Sequence, residues 1–386
     1  MLPVSDVHRA LWAPIDHEIV RRGRTSVVAV PILGGPCRHE PSAFCARAHL
    51  DAAWLPVLAR HALLVWSSRR TIVAALSAHA PGLDGLVAAS LPRLALGAAQ
   101  LDSLLRWIRP SVVVCYNEVG PLSRLAPAVA HGMRLQAVDL PHAEAADASA
   151  IAGIDYDAVG VFGGRAMTVM AEAGVPRDRV VAIGAPHVDQ LIEDAASQPP
   201  VTERRIVFAS QSVGGAMTAP VKQRTLRSAL AAAAAAAPAR LVIRPHPLET
   251  DDIAAGVLNE PIPPGVEVTI ERDRPLVAHL AGAWALVTAF SNTAYEAVAL
   301  GVPVIAINAS GGPPILPLAE ESLALGATDE PTAAAAARRL LVDAARDELV
   351  RAASERVHHH LGPLDGRSAE RAADLILAHV RPRFGP

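Results

Sequence analysis

Hydrophobic residues in this chain form short continuous runs that alternate with segments of helical periodicity. The stretch 283–310 shows this most clearly, with an apolar run Trp284–Thr288, a polar turn, a helix opening at Ala294, a break at Gly301 and a second apolar run Val304–Ile307. Continuous apolar strands are typical of a parallel sheet covered on both faces, because neither face meets water. We therefore predict a β-α-β unit here.

The same alternation recurs along most of the chain. The other apolar runs predict strands at Ser26–Leu33, Ala62–Trp66, Ser111–Cys115, Leu135–Leu140, Ala158–Phe162, Val180–Ile183, Arg205–Ala209, Arg240–Ile243 and Glu267–Ile270. Most are followed by segments of helical spacing, and Ala43–Leu64 is predicted to be helical as well. Strands that alternate with helices predict an α/β fold with parallel sheets.

The length of 386 residues predicts more than one domain. Residues 197–203 carry two prolines and no apolar period, so they are the predicted linker. The expected domains are 1–196 and 204–366, and a last helix within 367–386 could pack back on the first domain. The carboxyl edges of the two sheets are expected to face a central cleft, where such folds bind ligands.

Composition narrows the choice of partners. The chain is 51% hydrophobic and 19% charged, with a net charge of -3, so it should bury a large interior and gives no reason to expect a nucleic-acid partner. Lys222 is its only lysine, and it falls in a polar stretch that predicts a solvated side chain.

The cysteines and the apolar runs bear on location. Cys37, Cys45 and Cys115 lack metal-ligand spacing and leave one unpaired in any disulfide scheme, which fits a reducing compartment. The start of the chain is too polar for a secretory signal, and Pro or Arg interrupts every apolar run before it could span a bilayer. We expect a cytoplasmic protein without a transmembrane segment that could work beside a membrane.

The first candidate for ligand chemistry follows the strand Arg240–Ile243. Arg244 and His246 alternate with Pro245 and Pro247, and the two prolines restrict the backbone at the strand end. An imidazole held there can donate a hydrogen bond to a phosphate oxygen, and a guanidinium adds a charge-assisted contact. The pair is therefore predicted to bind phosphate.

The second candidate lies in the turn of the stretch 283–310. Ser291, Asn292 and Thr293 place hydroxyls and backbone N–H groups at a helix start, which suits an anionic phosphate. Glu296 follows one turn later on a helix expected to be largely buried, where a carboxylate requires a partner such as a ribose diol. Ser291 and Glu296 could also be a plain helix cap and a solvated acid.

A weaker signal follows the strand Arg205–Ala209. Ser210 and Ser212 precede Gly214 and Gly215, and small residues let backbone amides approach a ligand. The segment has neither a GxGxxG pattern nor a P-loop lysine. It is a candidate ligand-binding loop only because of its position on the predicted carboxyl edge.

Three segments resemble a known family. RPHP at 244–247, SNTAYEAVALGVPVI at 291–305 and LDGRSAER at 364–371 are similar to the nucleotide-binding half of two-Rossmann (GT-B) glycosyltransferases. The resemblance is strongest to the bacterial surface-polysaccharide group, whose sialyl-, Kdo- and polyglycerol-phosphate transferases use cytidine nucleotides. It covers about residues 135–373 and implies a transferase of polysaccharide biosynthesis.

The resemblance also implies roles for individual residues. Arg244 with His246, and Ser291 with Thr293, would hold the phosphates of a nucleotide-activated donor, and the acceptor would be a glycan or a small molecule. The substrate itself carries the nucleotide, so no separate cofactor is expected. A metal is not expected either, because no Asp-x-Asp motif follows a predicted strand.

The catalytic base stays open between Glu118, Asp139 and His142, which follow or end strands of the first domain. Glu144 could raise the basicity of His142, whereas Glu118 and Asp139 could equally cap helices. The transferase group often carries Gln-His-Gly at the corresponding strand end, where this chain has VDLPH at 138–142.

Two alternatives remain. PHAEA at 141–145 and Glu296-Ala297 are similar to segments of the non-hydrolysing UDP-N-acetylglucosamine 2-epimerases, which share the fold. That family's Asp-Ser-Gly-Gly is replaced here by Ala-Phe-Ser-Asn at 289–292, and its amino-terminal Gly-Thr-Arg-Pro is absent. The chain could also be a nucleotide-sugar binding protein that has lost catalysis.

Overall fold

The computed structural model describes residues 6–25, 28–30, 43–45, 54–79, 84–116, 121–144, 148–215, 217–247, 249, 256 and 261–380. Their contacts divide the chain into two compact units. The first takes Ala166–Ile183 and the described parts of Met1–Val161 and Ala369–Pro386, and the second takes Phe162–Arg165 and Gly184–Ser368.

The first unit holds a four-stranded parallel sheet in the order β3-β4-β5-β6 and a separate parallel pair β1-β2. Its strands are β1 Val28–Val30, β2 Ala43–Cys45, β3 Val113–Tyr116, β4 Ala137–Leu140, β5 Ala158–Val161 and β6 Val180–Ala182. Its helices are α1 Asp6–Arg21, α2 Trp54–His79, α3 Asp84–Ile108, α4 Pro121–Gly132, α5 Ala148–Ile151, most of α6 Gly164–Glu172, and most of α13 Ser368–Ala378.

Side chains of β3 alternate between the two faces of the sheet, and both faces are buried, so the strand is apolar throughout. Val113 and Cys115 join one buried cluster, whereas Val114 and Tyr116 join a second one on the opposite face of the sheet. Trp12 of α1 packs edge-on against Tyr116, with ring centroids 4.1 Å apart. Both faces of the sheet are thus covered, as a continuous hydrophobic strand requires.

The second unit holds a six-stranded parallel sheet in the order β12-β11-β10-β7-β8-β9. Its strands are β7 Arg205–Ala209, β8 Ala239–Arg244, β9 Val266–Ile270, β10 Ala285–Thr288, β11 Val304–Ile307 and β12 Leu325–Ala327. Its helices are α7 Pro186–Ala195, α8 Ala219–Ala235, α9 Leu276–Leu280, α10 Thr293–Ala299, α11 Glu330–Leu340 and α12 Asp343–Leu361. The predicted α/β class with parallel sheets is confirmed.

The alanine-rich segment at 231–237 belongs largely to α8, where Ala232 and Ala233 are fully buried. They share a cluster with Ala333 and Ala337 of α11. Alanine favours the helix and its small side chain lets neighbouring backbones approach closely. The low-complexity run is therefore a packed helix.

The division into units differs from the predicted domains in two places, at Phe162–Arg165, which belongs to the second unit, and at helix α7 with the turn before it. Residues 184–196 were expected in the first domain, yet Val188 and Leu191 of α7 pack in the core cluster of the second unit with Leu280 and Val298. The proline-rich segment 197–203 consequently lies inside the second unit.

Within 43–66 one prediction is wrong and one holds only in part, since the helix predicted over Ala43–Leu64 is found from Trp54 onward. Ala43–Cys45 is a strand, and the predicted strand Ala62–Trp66 lies in the middle of helix α2. A short apolar run has no period that separates a buried strand from a helix. Among the described helices, none combines the length and the apolar character needed to cross a membrane.

Candidate functional site

The ends of three neighbouring strands lie side by side at the carboxyl edge of the six-stranded sheet. Arg244 of β8 is in register with Ala209 of β7, which is in register with Thr288 of β10. The Ser210 amide donates to the Arg244 carbonyl at 3.0 Å, and the Thr288 hydroxyl donates to the Ala209 carbonyl at 3.0 Å. The structure thus brings the polar segments after β7, β8 and β10 to one edge.

Hydroxyl groups organise the turn after β10. The Ser291 amide donates to Thr288 Oγ1 at 3.3 Å, the Thr293 amide donates to Ser291 Oγ at 3.3 Å, and Ser291 Oγ donates to Thr293 Oγ1 at 3.1 Å. Asn292 is exposed and immediately precedes helix α10. Helix α10 has only seven residues, so its dipole is short and the hydroxyls are the main polar groups of this turn.

Arg244 and Ser210 each hold a buried polar atom without a hydrogen-bond partner in the described part of the chain, namely Arg244 Nε and Ser210 Oγ. Burial lowers the pKa of Arg244, and the nearby Glu296 charge partly restores it. Buried polar groups in native structures are rarely left unpaired, so these two atoms are expected to be satisfied by water or by a ligand at this edge.

Glu296 lies beside Arg244 and His187. Burial raises the pKa of Glu296 to about 7, against the opposing effects of the Arg244 charge and a hydrogen bond from Thr293. Burial also lowers the pKa of His187 to about 4. The imidazole Nε2 is 3.6 Å from Glu296 Oε1. Near neutral pH the pair is therefore a neutral imidazole next to a carboxyl group that readily gains or loses a proton.

His187 was missed as a site residue at the sequence level. It is the second residue of α7, and its ring packs against Phe162 with centroids 5.5 Å apart. The local signal is Pro186, which directly precedes His187 shortly after β6 and resembles the proline-flanked His246 segment.

His246 is half-buried in the loop after β8. Burial lowers its pKa, with Arg244 and Lys222 adding to the effect and Glu249 opposing it. The His246 amide donates to Glu249 Oε2 at 3.0 Å, so the backbone of this loop is tied to a buried carboxylate. The predicted phosphate ligands Arg244 and His246 thus lie within electrostatic reach of each other.

The prediction of a solvated Lys222 is wrong. Its side chain is 1% exposed, and Nζ lies 2.7 Å from Glu249 Oε1. A charged side chain is buried only when a partner compensates its lost hydration, and here the partner lies in the loop that carries His246. The ion pair between Lys222 and Glu249 therefore anchors the loop that carries His246.

The remaining predicted residues lie further from this group or in the other unit. Ser212 is half-buried in the loop after β7 and is not hydrogen-bonded to the others in the described structure. Glu118 lies outside the described residues. Among the residues that are described, no group of three or more His, Cys, Asp or Glu side chains is placed to hold a metal ion.

Asp139 and His142 belong to the first unit. Asp139 is the third residue of β4, flanked in register by Cys115 and Val159, and is 1% exposed rather than open at a strand end. Burial, with a contribution from the Asp139 charge, raises the pKa of Cys115 to about 12. His142 is half-buried, two residues beyond β4. A general base must reach a substrate hydroxyl, which favours His142 over Asp139.

Comparison with solved structures finds the same architecture in nucleotide-sugar enzymes. The UDP-GlcNAc 2-epimerase from Neisseria meningitidis bound to UDP-GlcNAc has a TM-score of 0.64 at 10% identity, with 98% of each chain covered. The UDP-GlcNAc 2-epimerase from Methanocaldococcus jannaschii has a TM-score of 0.56 at 10% identity, with 96% of each chain covered. The glycosyltransferase SnogD from Streptomyces nogalater has a TM-score of 0.52 at 18% identity, with 98% of each chain covered.

At these identities the likeness shows the fold alone. The chain has the GT-B-like architecture of two Rossmann-like α/β units, which the sequence predicted. No protein-family model matches the chain, and no curated protein matches it in sequence.

The shifted pKa of Glu296 predicts a stabilising substitution. Its folded pKa of about 7 exceeds the usual 4.5, so the folded state binds more protons in that window and loses stability as pH rises through it. At about 1.4 kcal/mol per pKa unit, Glu296→Gln should raise the free energy of unfolding by up to about 3 kcal/mol at about pH 8, and by little near pH 4.5. Urea denaturation across this range measures the effect.

The same experiment tests His187. Its folded pKa of about 4 lies below the usual 6.5, so its contribution to stability increases with pH in that window and offsets the loss from Glu296. In Glu296→Gln only the increase remains. The exposed Glu320→Gln is the matched control, with no pH-dependent gain expected. A Glu296→Gln variant less stable than the parent at about pH 8 would contradict the assignment.

Proposed function

We propose that the second unit binds a nucleotide-activated sugar at the carboxyl edge of its sheet, and that the protein is an enzyme acting on that sugar. Arg244 would contact the phosphates together with His246 and the hydroxyls of Ser291 and Thr293, and Glu296 would accept hydrogen bonds from a diol. The observation that carries this proposal is the buried Arg244 Nε, for which the described residues offer no hydrogen-bond partner, at the same sheet edge as the hydroxyls of Ser291 and Thr293.

Epimerisation of a UDP-N-acetylhexosamine is the first candidate reaction. UDP-GlcNAc 2-epimerases of the same fold align over almost the whole chain with TM-scores of 0.64 and 0.56. The segment with His142 and Glu144 supports it, because it resembles the His-x-Glu-Ala of those enzymes. Epimerisation requires a proton to leave carbon and another to return, so acid–base groups are needed on the sugar. His142 is the first-unit residue we propose for this role.

Glycosyl transfer is the second candidate. The glycosyltransferase SnogD shares the fold, and RPHP at 244–247 resembles the donor-binding motif of surface-polysaccharide transferases that use cytidine nucleotides. Transfer needs the same neutralisation of charge on the departing phosphate, which Arg244 and His246 would supply. The two reactions differ in what happens to the sugar, not in how the nucleotide is held.

A thermal-shift screen with CMP, CDP, UDP, GDP and TDP tests nucleotide binding. A nucleotide at about a hundred times its dissociation constant stabilises the folded state by about 2.7 kcal/mol, which is several degrees in melting temperature. We expect UDP to give the largest shift. A shift with CMP alone would favour the transferase, and no shift with any nucleotide would remove the proposal.

Proton NMR of UDP-GlcNAc incubated with the protein in D2O distinguishes the reactions. An epimerase incorporates solvent deuterium at the epimerised carbon and releases no stoichiometric nucleotide. A transferase releases nucleotide when an acceptor is supplied and leaves the carbon-bound protons unchanged. Binding of UDP-GlcNAc without either change would identify a non-catalytic binding protein and exclude the enzyme proposal for this substrate.

A further inference from the structure

Helix α2 of the first unit carries an exposed apolar surface. Leu55, Ala59, Ala62, Leu63 and Trp66, the α2 stripe, are all exposed. At 3.6 residues per turn they fall within about 100° of arc on one side of the helix. Leu55, Leu63 and Trp66 are 60%, 68% and 63% exposed. Single exposed apolar side chains are ordinary, but an exposed stripe at helical spacing indicates an interaction surface.

Polar contacts on the opposite side fix the rotation of α2. His61 is buried, and its Nε2 lies 3.2 Å from Oδ2 of Asp102, a buried residue of α3. Arg60 donates to the same oxygen at 2.8 Å, and Arg106 of α3 lies 3.0 Å from the other oxygen. Because a buried carboxylate with three cationic or polar neighbours is costly to break, α2 is held with its stripe turned away from α3.

The charged residues of the α2 segment itself have one sign. Residues 52–83 contain three arginines and no acidic residue, although the whole chain has a net charge of -3. Two of them, Arg69 and Arg70, follow the stripe by one turn. The Arg69 guanidinium lies 4.1 Å from the Trp66 ring centroid and donates to the Trp66 carbonyl at 2.6 Å. A tryptophan covered by an arginine, next to aliphatic side chains, suits the boundary between acyl chains and anionic headgroups.

We propose that the α2 stripe lies in the interface of an anionic lipid bilayer, with the α2 axis along the membrane plane and with Arg69 and Arg70 at the lipid phosphates. The helix does not insert across the bilayer, since Arg60, Arg69 and Arg70 interrupt its apolar character. Apolar area and cationic side chains act together in such binding, so neither alone is sufficient.

A second copy of the chain is a poorer occupant for this surface. In a two-fold symmetric dimer the same patch meets itself, so two stripes in contact would bring the arginines of both copies together. Without an acidic residue anywhere in 52–83, the stripe offers such a dimer no compensating charge. An anionic bilayer supplies the apolar depth and the opposite charge at once.

Sedimentation with lipid vesicles tests the proposal on the full chain. We expect binding to phosphatidylcholine vesicles that contain about a third phosphatidylglycerol, much weaker binding to phosphatidylcholine alone, and a decrease with added salt. The double variant Leu63→Glu/Trp66→Glu should lose binding to both kinds of vesicle. Arg69→Gln/Arg70→Gln should bind anionic vesicles about thirtyfold more weakly, because each surface cation contributes about fivefold.

Matched variants control for charge and for exposure. Arg338→Gln/Arg339→Gln removes an adjacent, exposed arginine pair from α11, and Val342→Glu introduces an acid at a position that is 58% exposed. Both should bind vesicles like the parent, and circular dichroism confirms that every variant is folded. The proposal is overturned if the parent protein does not bind anionic vesicles, or if Leu63→Glu/Trp66→Glu binds them as strongly as the parent does. It is also overturned if light scattering shows that this variant dissociates a dimer while vesicle binding persists.

Discussion

Replacing Arg244 with alanine is expected to weaken UDP binding by about thirtyfold or more while leaving the protein folded. Truncating one member of a desolvated, hydrogen-bonded charge pair costs about 2–5 kcal/mol, and a phosphate held by Arg244 would be such a partner. Arg244 Nε is buried, and the described residues offer it no acceptor, so under the proposed function its loss removes a contact to the nucleotide phosphates. Isothermal titration calorimetry with UDP measures the change.

Two further variants separate charge from geometry. Arg244→Lys keeps the charge but loses the planar fork that pairs two phosphate oxygens, so an intermediate affinity is expected. Arg339→Ala removes an exposed arginine from α11 of the same unit and should leave the affinity unchanged. If folded Arg244→Ala binds UDP as tightly as the parent, the nucleotide is not held at this edge.

Arg244→Ala should also change the protonation of Glu296, and with it the stability of the unliganded protein. The Arg244 charge lowers the pKa of Glu296 although burial raises it overall, so Arg244→Ala should leave the carboxyl more fully protonated at neutral pH. Glu296→Gln should affect stability and binding in opposite directions. It should stabilise the unliganded protein and weaken ligand binding. Functional residues in buried sites commonly lower the stability of the unliganded protein.

Strand positions were the most accessible feature from sequence. Arg205–Ala209 and Val304–Ile307 are found with their predicted bounds, because both are continuous apolar runs ended by polar turns. Parallel pairing then places every strand's carboxyl end on the same edge, which is why the sequence alone associates Arg244 with the segment after Thr288. Local pattern and topology were sufficient for this part of the site.

Contacts between distant segments were not accessible. The approach of His187 to Glu296 depends on α7 packing in the second unit, and a spacing of 109 positions carries no periodic signal. The burial of Lys222 depends on the loop after β8 returning over helix α8. In both cases a polar residue acquires its chemistry from tertiary packing, which hydrophobic pattern alone does not encode.

Lys222→Met is expected to lower the free energy of unfolding by about 3–5 kcal/mol. The Lys222 ammonium and the Glu249 carboxylate are 1% and 0% exposed and 2.7 Å apart, so removing the lysine leaves a buried carboxylate without its counter-ion. Methionine has a helix propensity close to that of lysine, so the backbone of α8 contributes little to the loss. Urea denaturation near neutral pH measures it.

The double variant Lys222→Met/Glu249→Gln isolates the charge from the packing. Glutamine keeps an oxygen that can accept the His246 amide hydrogen bond, and no buried charge remains, so most of the lost stability should return. The neighbouring Gln223→Met, at an exposed position of the same helix, should change stability by less than about 0.5 kcal/mol. A double variant as unstable as Lys222→Met would show that the lysine stabilises through its packing, and the loop carrying His246 would then not depend on the ion pair.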